Sequence, residues 1–267
     1  MTRESPWLLT PRPGETTADF QDRRGRAFFD GQRTDSAEFW RRLGRDDIDL
    51  AGRRVLELGC GHGALSVEAA AKGATSVLGV DIDADPIAFA QRHVPQAYPD
   101  LAPALAFRCE DIAEIPDSEP FDIVLCKDTA EHILDLAGVF AQVHRLLKPG
   151  GRFVIGTSPL YYSPFGDHGR YLGPGLPWLA ALLPEPLLFA LASRRNGGTI
   201  RSAADVGLNK MTPARFRSLF DGSNWQVESI RYNAGDKRFM AAMRLLRRFR
   251  PIEKYFTVSI YAVIRRR

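Results

Sequence analysis

The sequence predicts an α/β fold, in which a mostly parallel, seven-stranded sheet carries helices on both faces. From residue 51 onward, short apolar runs alternate with helical patterns, as is typical of strands joined by crossover helices. A glycine-rich loop connects the first run to the first helix. The chain has 267 residues, 45% of them apolar, which is enough for one such domain with additional segments.

The glycine-rich loop follows a short strand with the pattern of a buried one. The apolar run at residues 54–58 is followed at once by Gly59, Gly61 and Gly63. Glycines at alternate positions permit a sharp turn and let a ligand lie against the main chain. A helical pattern begins at Ala64. The order of strand, glycine loop and helix predicts a site for the polar part of a nucleotide-like molecule.

A carboxylate inside the strand helps to distinguish between a dinucleotide and a ligand with an ammonium group. Gly59, Gly61 and Ala64 satisfy the looser dinucleotide pattern G-x-G-x-x-G/A. Glu57, however, would repel a pyrophosphate, whereas it could receive an ammonium group, directly or through water. Together with Gly63 these residues form E-x-G-x-G-x-G, which resembles the first motif of the class I S-adenosylmethionine-dependent methyltransferases, a family with a Rossmann-like fold. A strand-turn-helix without a ligand is the alternative.

The resemblance implies cofactor contacts at the ends of the next two strands. Asp81 ends the second predicted strand, 76–81, 20 residues after Gly61, and a carboxylate there can accept from two ribose hydroxyls. Asp111 and Ile112 follow the third predicted strand, where the family has an acid for the adenine amino group and an apolar residue against the ring. A loop acid without a ligand is the alternative for Asp111.

Two nearby acids are alternatives to Asp81. Asp83 and Asp85 follow it closely, but Pro86 comes next, so helix capping is their expected task. The residues expected to bind the cofactor are Glu57, Gly59, Cys60, Gly61, Gly63, Asp81, Ile82, Asp111, Ile112, Lys127 and Asp128.

The residues after the fourth predicted strand, 121–126, give information about the class of acceptor. The resemblance places Lys127 and Asp128 at the junction of cofactor and acceptor. Methyltransferases acting on base amines or glutamine usually carry an Asn/Asp-Pro-Pro-aromatic tetrad there, whereas this chain has Lys-Asp-Thr-Ala. That departure favours the small-molecule branch, in which Glu131-His132 is a frequent pair. A structural role is expected for His132, with acceptor contact as the alternative.

A long insertion, residues 158–211, follows the fifth predicted strand, 152–157, and is expected to build the acceptor pocket. We predict His168 and Asp167 as the catalytic acid–base pair, in which the carboxylate would fix the imidazole tautomer. A loop histidine without chemistry is the alternative. The residues expected to contact the acceptor are Tyr161, Tyr162, Arg170 and His132.

An apolar run at residues 172–192 approaches the length of a membrane span. Four prolines break it, at positions 174, 177, 184 and 186, so a lid of short helices is expected. A membrane-facing patch for a lipid-linked acceptor, and hence peripheral membrane contact, is the alternative.

Two further segments complete the domain organisation. Residues 1–50 are predicted to form an N-terminal helical cap before the methyltransferase domain, 51–267. The aromatic residues of the cap would either cover the cofactor or pack in the core. The closing elements are predicted as a helix from 213 capped by Thr212, a strand at 225–232, a basic helix at 237–249 and a strand at 255–264.

Charge and cysteine content restrict the remaining function classes. The net charge is +4, with arginines concentrated between Arg231 and Arg250. A solvated helix face is expected there, and contact with an acidic surface such as a membrane or nucleic acid is the alternative. Three cysteines, Cys60, Cys109 and Cys126, are odd in number and match no zinc spacing. We therefore expect reduced thiols and a cytoplasmic protein without a signal segment. No metal site is predicted, and the sequence leaves metal dependence open.

The resemblance implies a small-molecule methyltransferase, with a sugar, secondary-metabolite or carboxylate oxygen as the expected acceptor. Two alternatives keep the cofactor: an enzyme using another carbon of S-adenosylmethionine, by aminocarboxypropyl transfer or cyclisation, and a cofactor-binding protein without catalysis. A nucleic-acid methyltransferase is disfavoured, because no RNA-binding module is recognisable. The sequence leaves the acceptor and the oligomeric state open.

Overall fold

The computed structural model describes residues 9–45, 47–173, 175–222, 224–236 and 238–267. Part of the predicted cap, 1–8, and the predicted helix breaker Pro174 lie outside these residues, as does the first residue of the predicted basic helix, Lys237. The α-helices are α1 (Thr17–Leu43), α2 (Ala64–Ala71), α3 (Ala84–Ala97), α4 (Leu136–Leu146), α5 (Leu179–Leu182), α6 (Glu185–Asn196), α7 (Pro213–Ser218), α8 (Arg238–Leu246) and α9 (Glu253–Phe256). The strands are β1 (Arg54–Leu58), β2 (Ser76–Asp81), β3 (Leu105–Cys109), β4 (Phe121–Lys127), β5 (Leu147–Thr157), β6 (Trp225–Tyr232) and β7 (Ile260–Arg266).

The strands form one seven-stranded sheet in the order β3-β2-β1-β4-β5-β7-β6. β1 pairs in parallel with β2, and β2 with β3, whereas β7 runs antiparallel to both β5 and β6. The predicted α/β fold class with a mostly parallel sheet is thereby confirmed. Within the fold, the chain divides into two compact units, Met1–Leu125 and Cys126–Arg267.

The first unit joins the long helix α1 to the Rossmann-like half-sheet. Thr16 caps α1 by accepting a hydrogen bond from the amide of Asp19, and Gly44 ends the helix in a left-handed conformation. Phe29 and Phe39 on α1 are each 1% exposed. These two aromatics of the predicted cap are therefore core residues, and Phe29 packs in a cluster with Phe89.

The second unit contains the insertion, which has a small apolar core of its own. Tyr171, Leu188 and Ala192 are fully buried within it, and Phe189 is nearly so. Helix α6 supplies Leu188, Phe189 and Ala192 to this core, and Ala180 of α5 packs against it. The run at 172–192 contains the short helix α5 and most of the short helix α6, as expected, and their role as a lid stays a prediction. Within the described ranges no helix has the length and apolar character needed to cross a bilayer.

Two predicted strands begin five residues away from their predicted positions, and the basic helix α8 ends at Leu246 rather than at 249. The last strand begins at Ile260 rather than at 255. Residues 253–256 form α9 instead, and two residues between α9 and the strand donate hydrogen bonds to the side chain of Asn233. The carbonyl oxygen of the Asn233 amide accepts from the main-chain N–H groups of Val258 and Ser259 at 2.7 and 3.3 Å. The fifth strand begins earlier than expected, at Leu147, and the predicted Lys-Pro-Gly-Gly turn lies inside its bounds.

The close approach of α1 to α3 gives a test of the first unit. A methyl group added at Gly25 would lie 2.3 Å from the ring of Phe89, which is 3% exposed and cannot move aside, whereas one added at Gly31 meets nothing within 4 Å. We expect Gly25→Ala to lower the free energy of unfolding by about 1–3 kcal/mol through overpacking. Gly31→Ala should raise it by about 0.5–1 kcal/mol, because alanine favours a helix.

Urea unfolding followed by circular dichroism measures both changes. Equal shifts in the same direction for the two alanine variants would show that α1 does not pack against α3 as described.

Candidate active site

The glycine loop lies in the first unit and is tied to the end of β2. Gly59, Gly61 and Gly63 have φ angles of 72°, 50° and 87°, in the left-handed region that favours glycine. The amides of Gly59 and Cys60 donate to the carbonyl oxygen of Val80 at 2.8 and 3.0 Å. The loop is therefore fixed by main-chain bonds, and its conformation requires the predicted glycines.

Asp81 occupies the centre of this arrangement. One of its carboxylate oxygens accepts from the amide of Gly61 at 2.9 Å, and the other from the amide of Asp83 at 3.0 Å. Each carboxylate oxygen has capacity for a further hydrogen bond. Asp81 can thus brace the loop and still accept from two hydroxyls. The expected capping role of the next acid is confirmed, since Asp83 accepts from the amide of Asp85 at the start of α3.

Glu57 is buried, 3% exposed, behind the loop. Its carboxylate accepts a short hydrogen bond from the hydroxyl of Ser66 on α2. This contact links β1 to the first helix, so Glu57 supports the junction on which the loop depends. A predicted ammonium contact would have to share the carboxylate with Ser66.

The two isoleucines predicted near the cofactor differ in their surroundings. Ile82, directly after Asp81, is 80% exposed, whereas Ile112 is 3% exposed and belongs to the core. Asp111 accepts from the amide of Ala113 at 2.8 Å and lies at the surface. Ile82 therefore has far more apolar surface available for a ligand than Ile112.

Helix α1 contributes Phe28, an aromatic residue of the predicted cap, and Gln32, which the sequence reasoning missed. The ring of Phe28 stacks on the ring of His62 in the loop, with centroids 5.0 Å apart. The amide nitrogen of Gln32 lies 2.6 Å from the position that a Cβ at Gly61 would take. Burial lowers the pKa of His62 to about 4, so this ring is neutral at pH 7. His62 stands inside the motif and could have been noticed, but Gln32 had no local signal.

The predicted junction residues at the end of β4 belong to the second unit. The ammonium group of Lys127 lies 2.7 Å from a carboxylate oxygen of Asp128. Asp128 has a φ of 50° and donates its amide to the carbonyl oxygen of Gly156 at 2.8 Å. A non-glycine residue held in this region is strained, which is common where a side chain is positioned for function.

His132 and His168 lie together in the second unit. Their ring centroids are 5.0 Å apart. His132 donates from Nδ1 to the carbonyl oxygen of Gly207 at 2.8 Å, and His168 donates from Nε2 to that of Pro159 at 3.2 Å. Because a carbonyl oxygen only accepts, these contacts fix both tautomers and leave one lone pair on each ring.

The electrostatics keep both rings neutral at pH 7. Burial lowers the pKa of His168 to about 4, with the neighbouring His132 as the next cause. Burial also lowers the pKa of His132. The backbone of His168 has a φ of 53°, so its position is held against strain.

The structure gives His168 a different partner from the one predicted. Burial raises the pKa of the Asp167 carboxyl, and main-chain groups of Gly169 and Tyr171 oppose this rise. The tautomer of His168 is fixed by the carbonyl group of Pro159. Asp167 therefore shapes the turn that carries the histidine.

Glu131 completes the cluster next to His132. It is 3% exposed, and it accepts from the hydroxyl of Thr157 at 2.7 Å and from the amide of Ser158 at 3.3 Å. Burial raises its pKa, and Asp128 adds to the increase. Glu131, His132 and His168 each offer a ligand atom within 4.8 Å of the others, so their composition could hold a metal ion.

The remaining predicted acceptor contacts lie in the insertion. The hydroxyls of Tyr161 and Tyr171 are 3.1 Å apart, and Tyr161 is 7% exposed. Tyr162 packs edge-on against Tyr161, and the Lys254 ammonium lies 4.3 Å from its ring centroid. Arg170 donates to the carbonyl oxygen of Val206 at 2.6 Å. Tyr161 and Arg170 thus also hold the insertion together.

Known proteins are similar to this chain in sequence and fold. Residues 49–163 match a family model described as a methyltransferase domain. The chain is 40% identical over 203 residues to a ubiquinone biosynthesis O-methyltransferase of Pseudomonas fluorescens, covering 69% of this chain and 81% of that protein. It is 40% identical over 113 residues to the protein of that name from Pseudomonas syringae, covering 41% of this chain. In the latter match the chain spans 46% of the relative, about half of its length.

Solved structures share the fold at lower identity. An S-adenosylmethionine-dependent methyltransferase from Mesorhizobium loti superimposes with a TM-score of 0.56 at 21% identity, covering 87% of this chain and 99% of that chain. Magnesium protoporphyrin IX methyltransferase from Synechocystis, with bound S-adenosylmethionine, gives a TM-score of 0.53 at 16% identity, covering 98% and 90%. With the motif, the fold and the 40% identity over most of a relative's length, this chain belongs to the class I S-adenosylmethionine-dependent methyltransferase family.

Proposed function

We propose that the protein transfers the methyl group of S-adenosylmethionine to the oxygen of an acidic hydroxyl, such as a phenol, on a small molecule. Membership of the family supports methyl transfer, and the relatives named as ubiquinone biosynthesis O-methyltransferases support oxygen as the acceptor atom. The observation that carries the proposal is the neutral His168, whose Nε2 proton is committed to Pro159.

The first unit supplies residues that suit the cofactor. Gly59, Gly61 and Gly63 present main chain without side chains, which suits a ligand lying against the loop. Asp81 retains acceptor capacity for two hydroxyls, and Ile82 offers an exposed apolar side chain to a ring. S-adenosylmethionine, when bound, supplies an electrophilic methyl group on a sulfonium.

His168 has the features needed to take a proton from an acceptor. Its Nδ1 has no hydrogen-bond partner among the described residues and carries the lone pair, because Nε2 holds the proton. The ring remains unprotonated at neutral pH. Burial beside His132 limits its exchange with water, which favours proton transfer to and from a bound molecule.

The low pKa of His168 narrows the class of acceptor. A base with a pKa of about 4 holds a proton weakly, so it is matched to a hydroxyl that becomes acidic readily. A phenol, with a pKa of about 10, meets this requirement better than a sugar alcohol does. A carboxylate acceptor would need no base and would leave His168 without a catalytic task.

The identity of the product tests the proposed function. The protein would be titrated calorimetrically with S-adenosylmethionine, S-adenosylhomocysteine and NAD, and then incubated with a panel of substituted phenols. We expect binding of the first two ligands and formation of S-adenosylhomocysteine with a methoxy product, measured by mass spectrometry. Methylthioadenosine as the product would instead indicate use of another carbon, and binding without turnover on any acceptor would support a non-catalytic protein.

Asp81→Ala should weaken S-adenosylmethionine binding by about 100-fold or more, because two hydrogen bonds to a charged group are lost. Calorimetric titration measures the change. Asp100→Ala removes an exposed carboxylate after α3 and is the matched control, for which wild-type affinity is expected. Unchanged affinity in Asp81→Ala, with an unchanged melting temperature, would place the ribose elsewhere.

His168→Gln should lower kcat by about 100-fold or more while cofactor affinity stays unchanged, because a general base is removed. Asp167→Asn keeps an oxygen acceptor for the turn and should lower kcat much less. Methyl transfer to the best phenol of the panel measures both variants. Equal losses would restore Asp167 as the catalytic partner, and full activity in His168→Gln would exclude this histidine as the base.

The pH dependence of stability tests the environment of His168 without a substrate. Its pKa is about 4 in the folded chain and about 6.5 when unfolded, so the unfolded state takes up the proton first. Stability attributable to this ring is therefore lost as the pH falls from about 6.5 to 4. We expect wild type to lose more stability over this window than His168→Gln does, in urea unfolding at several pH values; parallel losses would contradict a buried, neutral ring.

A further inference from the structure

A basic and apolar surface lies on α8 and the turn that follows it. Leu245 and Phe249 are 59% and 62% exposed. Leu245 lies on α8, whereas Phe249 lies in the turn that follows the helix, where its amide donates to the carbonyl oxygen of Leu246 at 3.2 Å. We define the α8 surface as seven exposed residues of this segment: Arg238, Ala241, Ala242, Leu245, Arg248, Phe249 and Arg250.

The opposite face of the segment anchors it to the second unit. Met243 is 4% exposed. Arg247 forms an ion pair with Glu253, and its guanidinium lies 3.7 Å from the ring centroid of Tyr232. Leu245 and Phe249 take no part in these stabilising contacts. Their side chains therefore remain available to a partner.

The charge of the segment has one sign. No aspartate or glutamate occurs between positions 237 and 252. Within the part of the chain that the structure describes, Arg238, Arg248 and Arg250 have no carboxylate partner. Arg244 donates only to carbonyl oxygens, those of Asn233 and Gly235, so its charge is also not neutralised by an acid.

We propose that the α8 surface docks the protein on an anionic lipid bilayer. A helix with arginines beside exposed leucine and phenylalanine lies in the plane of a membrane interface, with its apolar side chains below the headgroups. The arginines gain from the negative surface potential of anionic lipids. Leu245 and Phe249 then enter the apolar boundary, and Arg238, Arg248 and Arg250 face the lipid phosphates.

Two other occupants fit the α8 surface less well. A second copy of the chain, related by a two-fold axis, would bring the arginines of both copies together. A nucleic acid would satisfy the arginines but would leave the aliphatic strip of Ala241, Ala242 and Leu245 without an apolar partner. The proposal does not depend on the proposed reaction.

Vesicle co-sedimentation of the full chain tests the proposal. We expect binding to vesicles of phosphatidylcholine and phosphatidylglycerol in equal parts, weakening as salt is added, and little binding to phosphatidylcholine alone. Arg248→Gln with Arg250→Gln should weaken binding by about 25-fold, from about fivefold for each arginine. Leu245→Ser with Phe249→Ser should weaken it by about tenfold or more.

Matched controls change the same residue types elsewhere. Arg53→Gln with Arg92→Gln removes two exposed arginines, and Leu134→Ser removes a leucine that is 53% exposed. Both should bind as wild type does, and circular dichroism melting should show that every variant is folded.

The proposal is overturned if anionic vesicles do not bind the wild type, if both α8 variants bind normally, or if Leu176→Ser with Leu182→Ser abolishes binding while the α8 variants do not. Binding to single-stranded RNA in place of vesicles would also overturn it.

Discussion

The hydrogen bond from the amide of Gly61 to the carboxylate of Asp81 is the constraint on which the candidate cofactor site depends. It joins the glycine loop after β1 to the end of β2, and it works only because the loop adopts left-handed conformations at Gly59, Gly61 and Gly63. Glu57 fixes the same loop from behind through Ser66. A rigid backbone surface with an adjacent carboxylate is what a cofactor with a charged end and a ribose requires.

In the second unit, a main-chain carbonyl group takes the orienting role that a carboxylate partner has in many acid–base sites. His168 is held by a carbonyl group, and desolvation keeps its ring neutral. A carboxylate at the same place would raise the pKa of the ring and favour the imidazolium. A neutral ring of this kind can take up a proton, and this supports the proposal of an acidic hydroxyl as the acceptor.

Local patterns were sufficient to predict β1, the glycine loop and Asp81, because strand, loop and carboxylate follow one another within a few tens of residues. The partner of His168 was not predictable in this way. Asp167 is adjacent in sequence, but the turn directs its carboxylate to main-chain amides, and the contact that fixes the ring comes from Pro159. The position of Gln32 was also not predictable, because this residue comes close to Gly61 only through the packing of α1.

A crystal structure of the protein with S-adenosylhomocysteine tests the central claim most directly. The account predicts ribose hydroxyls within hydrogen-bond distance of the carboxylate of Asp81, and the amino-acid end of the ligand against the main chain of Gly59 to Gly63. A ligand bound away from both, with Asp81 contacting only Gly61 and Asp83, would contradict it.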